Sequence, residues 1–118
     1  MKEPDPDEGL NEVRLVGHVS GGVEQRELPS GDVLATFRLV VPRPARPARG
    51  RKTEEPTRPG VDTLDVACWT ARTRAAASRL ADGQVVAVEG SLRRRFFAAG
   101  AAKVSRYEVE ASRVRRAR

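Results

Sequence analysis

The chain has 118 residues, with 22 Lys or Arg against 16 Asp or Glu, a formal net charge of +6 and a pI of about 10.6. That length supports one domain with a modest core, and no stretch approaches the roughly 18 apolar residues of a membrane span. A single cysteine, Cys68, excludes a disulfide framework and nearly excludes a Cys-built zinc site; with a single histidine, His18, it also argues against a Cys/His catalytic pair.

Residues 1–9 are polar and contain Pro4 and Pro6, which predicts a flexible acidic tail and no leader peptide. Over residues 1–12, Lys2 stands against Glu3, Asp5, Asp7, Glu8 and Glu12, so the basic excess falls on the rest of the chain. From Asn11 on, Val13, Leu15, Gly17 and Val19 alternate with Arg14, Val16, His18 and Ser20, the period of a strand. Gly21-Gly22 are expected to bend or interrupt it. Leu28-Pro29-Ser30-Gly31-Asp32 reads as a turn, followed by a hairpin partner from Val33 to Val41. Pro42 to Gly60 holds five prolines among arginines, which excludes a helix or central strand. It reads as a long basic loop, either a solvated insertion or an arm that touches a ligand.

A third strand is predicted over Val61 to Thr70, and Ala71 to Ala81 is a helix with Thr70 as its N-cap. Asp82-Gly83 ends it. Gln84 to Phe97 is a fourth strand, with Gly90 marking a bulge or bend. Ala98 to Lys103 is a turn, Val104 to Val114 a fifth strand, and Arg113 to Arg118 a basic end. Five strands, with one helix between the third and fourth, match an all-β oligonucleotide/oligosaccharide-binding (OB) barrel spanning residues 10–116.

No catalytic constellation is present: there is no paired Ser/His/Asp spacing, phosphate loop or helical metal motif. Asp62 and Asp65 lie three apart in a strand, on opposite faces, and cannot share a metal. Neither enzymatic activity, nor a cofactor, nor a metal is expected. Binding of single-stranded nucleic acid asks for a cationic groove and for aromatic faces on which bases stack. Of the aromatic residues, Phe37 lies on an apolar face and reads as core, and Tyr107, beside Val109 and Ala111, as core or rim. Trp69 shares a half-polar face with Thr63 and Asp65 and is a stacking candidate. Phe96 and Phe97 follow Arg93-Arg94-Arg95; one ring can point inward and the other outward, beside an arginine.

Read together, NEVRLVGHVSGGVEQRELPSGDVLATFRLVV, VDTLDVACWTARTRAAASRLADGQVVAVEGSLRRR and RYEVEASRV resemble the bacterial single-stranded DNA-binding protein family, in the right order over residues 11–115. The carrying residues are Asn11, Val13, Leu15, Val16, Gly17, Ser30, Gly31, Phe37, Leu39, Trp69, Gly83, Val88, Glu89, Gly90, Leu92, Arg95 and Arg106 to Val109. The resemblance implies a non-enzymatic OB barrel that coats single-stranded DNA in replication, repair or recombination, and that forms a homo-oligomer, tetramer or dimer. It implies base stacking on Trp69 and Phe97, with Arg93 and Arg95 beside the latter. The family's aromatics after the second strand and early in the third have no counterpart in Pro42 to Ala45 or at Thr63. Its acidic-tipped tail has none before Arg118, so recruitment of proteins through such a tip is not expected.

The expected interface is therefore Trp69, Phe96 and Phe97 for bases, with Arg14, Arg38, Arg43, Arg46, Arg72, Arg93, Arg95 and Arg106 for phosphates. The expected setting is cytoplasmic, on the nucleoid, without membrane contact. Two rival readings stand beside it. One is a primosome-accessory or RNA-preferring barrel; the other is a paralogue that has lost DNA binding and forms mixed oligomers with a longer relative.

Overall fold

The computed structural model describes residues 3–44 and 60–117. The elements run β1 (Val13–Glu27), β2 (Val33–Pro42), β3 (Val61–Cys68), α1 (Ala71–Ser78), β4 (Val85–Ala99) and β5 (Ala102–Arg116). They close a barrel in the order β1-β2-β3-β5-β4, with β3 and β5 parallel and every other pair antiparallel. This is the five-stranded OB barrel that the alternation and the position of the helix predict.

Alternation sets the inside. Val19, Phe37, Leu39, Val66, Cys68, Val86, Val88 and Val109 fill the core, and Ala77 of α1 closes one end. Phe37 and Cys68 are core residues, as expected. Burial pushes the Cys68 thiol up to about 11 from an ordinary 9.0, with the Thr73 hydroxyl pulling weakly the other way. The thiol is thus neutral and unreactive at neutral pH. A raised folded-state value means that the unfolded chain sheds this proton first. Stability from Cys68 is whole below pH 9 and falls as the pH rises towards 11. Urea melts across that range are expected to show the decline, and Cys68→Ala to flatten it.

Several boundaries differ from the sequence reading, and β3 ends at Cys68 rather than Thr70, because the chain turns at Trp69 and Thr70 to cap α1. Of the two outcomes expected at Gly21-Gly22, β1 shows the irregularity and not the interruption: it absorbs them as a register shift between Ser20 and Glu24, and Asp82 Oδ1 accepts from the Gly21 N–H at 2.8 Å. α1 ends at Ser78 rather than Ala81, because Arg79 already turns its N–H back onto Ala76 and Ala77. β4 and β5 reach further than expected, so the turn between them shrinks to Gly100-Ala101. Thr70 is the N-cap, its Oγ1 accepting from the Thr73 N–H at 3.1 Å.

Barrel closure depends on two glycines. A Cβ on Gly17 would collide with the Val40 carbonyl of β2, and one on Gly90 with the Glu110 carbonyl of β5. Gly90 sits at the β4 register shift, as its mid-strand position predicts. Beyond it, β4 and β5 leave the barrel as a two-stranded ribbon. Asn11 ties its root down: its Nδ2 donates to the Leu92 carbonyl at 2.7 Å, and its Oδ1 accepts from the Leu92 N–H at 2.8 Å.

Candidate nucleic-acid interface

The ribbon register decides which side chains share a face. Arg93 lies opposite Glu108, Arg95 opposite Arg106, and Phe97 opposite Val104. These alternate with Arg94 opposite Tyr107 and Phe96 opposite Ser105. The first set is continuous with the outer surface of the barrel at the end of β3. There the Arg95 guanidinium stacks over the Trp69 ring, 4.8 Å from its centroid. Further along, Arg106 lies over Phe97 at 5.7 Å. Trp69, Arg95, Arg106 and Phe97 therefore form one line, with an aromatic ring at each end and two adjacent cations between them.

Carboxylates hold part of this line in place. Arg93 Nε pairs with Glu110 at 3.1 Å, and Arg95 pairs with Glu108 and, at 3.7 Å, with Glu110. Glu108 is nearly covered by the pair, its side chain 11 % exposed. Arg106 makes no ion pair among the described residues, which leaves its charge available to a phosphate. Trp69 is half-buried, and its indole N–H is buried without a hydrogen-bond partner. An orphaned donor of that kind costs about 1–3 kcal/mol.

The remaining candidates are scattered. Arg38 is exposed on β2, in register with Asp65 of β3 on the outer surface. Arg43 is engaged: its Nε and Nη2 both donate to Asp62 Oδ1, at 3.0 and 2.7 Å, while its backbone N–H reaches the Gly60 carbonyl. The pair lowers the Asp62 carboxyl and raises the Arg43 guanidinium from their ordinary values. Arg43 thus clamps the base of the 42–60 stretch. Arg46 and most of that stretch lie outside the described residues. Arg14 is on the β1–β4 side, 3.7 Å from Glu89, in a shallow depression with Arg113 and Arg115. Arg72 lines a second depression between α1 and β5, again with Arg113. Neither Arg14 nor Arg72 joins the Trp69 line.

Two expectations about aromatics are corrected. Phe96 and Phe97 do not divide into an inward and an outward ring; they are 65 % and 43 % exposed. Tyr107 is neither core nor rim but 58 % exposed. The cause is the same for both. The interior face of β4 and β5 runs past the end of the barrel, where no opposite wall covers it. Tyr107 and Arg94 were missed as surface groups because their alternation matches that of buried Val109 and Ala111. The only signal for them was the unusual length of the two strands.

Among the described residues no helix is long and apolar enough to cross a membrane, and no cluster of ligand side chains could hold a metal ion.

Comparison with known proteins agrees with this geometry. A single-stranded DNA-binding protein of Thermosynechococcus vestitus is 33% identical over 85 residues, which is 72% of this chain and 62% of that protein's length. The crystal structure of a small single-stranded DNA-binding protein from Streptomyces coelicolor superposes with a TM-score of 0.61 over 89% of this chain and 92% of that one. At 24% identity, that likeness speaks to the fold. The model of the single-strand binding protein family matches residues 10–117, which include the whole barrel and ribbon, and the chain belongs to that family.

Proposed function

We propose that this protein binds and coats single-stranded DNA without regard to sequence, in replication, repair or recombination, as a homo-oligomer and without enzymatic activity. The observation that carries this reading is the line Trp69–Arg95–Arg106–Phe97 on one outer surface of a single-strand binding barrel. Phe97 offers an open ring to a base. Trp69 is already stacked by Arg95, so the next base is received by the guanidinium plane, with the indole behind it. Arg106 and Arg38 supply charge for phosphates. Glu108 and Glu110 tether Arg95 and Arg93, so these two arginines contribute orientation more than counterion release.

Trp69 is the only tryptophan, so its emission reports one position. Adding an oligo-dT to the full chain is expected to change that emission strongly, and the change is expected to weaken as salt rises. A duplex of equal length is expected to leave it nearly unaltered. If the single strand causes no change and a second method detects no binding, this reading falls, and the mixed-oligomer reading takes its place.

A further inference from the structure

The second face of the ribbon is not used by the line just described. It carries Leu92, Arg94 and Phe96 from β4 and Lys103, Ser105 and Tyr107 from β5. Arg94 lies flat across its middle. The guanidinium is 4.8 Å from the Phe96 centroid and 5.5 Å from that of Tyr107, and Nη2 donates to Ser105 Oγ at 3.3 Å. Both rings are more exposed than Phe97. The register places Glu108 and Glu110 on the other face with Arg93 and Arg95, so this face has two cations and no carboxylate.

We infer that the Phe96–Arg94–Tyr107 face is a second stacking site for the same single strand, which passes around the ribbon and is bound on both sides. The inference rests on the proposed single-strand binding and adds where the strand goes next. Three features favour this occupant. Flat rings separated by a guanidinium match bases joined by phosphates. The charge is uniformly positive, which suits a polyanion. A second copy of the chain laid on this face would set Arg94 and Lys103 against their own equivalents, an arrangement of like charges. An apolar core has no claim on these rings either, because nothing in the fold covers them.

The test uses the full chain and oligo-dT strands of two lengths, about 5 and about 16 nucleotides, within the site-size range of single OB folds. Tyr107→Ala and, separately, Phe96→Ala keep the net charge unchanged and remove only exposed rings. Each is expected to weaken binding of the long strand about tenfold, the loss of one stacked base. The short strand is expected to bind Tyr107→Ala as it binds the parent, with the same Trp69 response. As a readout independent of the variants, a long strand substituted with 5-iododeoxyuridine is expected to photo-crosslink to Phe96 or Tyr107 in the parent chain, as well as to Phe97. Crosslinks confined to Trp69 and Phe97, with long-strand affinity unchanged in both variants, would overturn the second site while leaving the first intact. A concentration-dependent increase in mass that Phe96→Ala abolishes, without any crosslink on this face, would overturn it in favour of self-association. If no strand of either length binds and Trp69 does not respond, the underlying reading fails, and this one with it.

Discussion

Replacing Phe97 by alanine is expected to lower the affinity for single-stranded DNA about 5- to 150-fold, the range spanned by one lost base stack of about 1–3 kcal/mol. Phe97 is the open ring on the Trp69 face, and it packs against no core residue, so the loss is one of binding and not of folding. The effect is expected to be nearly the same at low and high salt, because a stacked base releases no counterion. Arg106→Ala should behave differently. It removes a cation without an ion-pair partner among the described residues, so the plot of log affinity against log salt should become shallower by about 0.7. It also removes the cation that lies 5.7 Å from the Phe97 centroid. Fluorescence titrations of both variants at several salt concentrations separate the two contributions. If Phe97→Ala binds like the parent at every salt concentration, stacking on this ribbon face is refuted.

The second large effect concerns the barrel itself. Gly90→Ala is expected to destabilise the fold by about 2–3 kcal/mol, a sizeable share of the roughly 5–15 kcal/mol that holds a domain of this kind together. The new methyl group would meet the Glu110 carbonyl and the backbone around Ala111, neither of which is a flexible side-chain end that can swing away. Relief requires β4 and β5 to separate where the ribbon leaves the barrel, which also shifts Arg93 and Arg95 against their carboxylates. Gly22→Ala is the control: it lies in β1, and a Cβ there meets nothing within 4 Å. Urea denaturation followed by circular dichroism should therefore show a clear loss for Gly90→Ala and none for Gly22→Ala. Equal stability of both variants would mean that β5 does not cross β4 as closely as described.

The family resemblance and the position of one helix between the third and fourth of five strands were legible in the chain. So was the core: Phe37, Cys68 and the valines of β4 follow from period-two alternation, since a strand with one wet face must place apolar side chains at every second position. Thr70 as N-cap and Gly90 as bulge were legible for the same local reason, because each solves a problem set within a few residues. The choice of Trp69 and Phe97 as stacking residues came from their polar or basic neighbours and from the resemblance.

What the sequence could not disclose depends on partners distant along the chain. Alternation marks Tyr107 as equivalent to Val109, and only the point where the opposite wall of the barrel ends turns one outward into solvent and the other into the core. Arg43 looks like any other arginine of the basic loop until β2 and β3 pair and bring Asp62 within 2.7 Å. Arg14 and Arg72 carry the same charge as Arg106, yet closure of the barrel carries them away from the Trp69 line. Local patterning thus determined which residues form strands and which faces are buried. The pairing register and the length of the ribbon, set by contacts between distant segments, decided which cations meet carboxylates and which aromatic rings stay open.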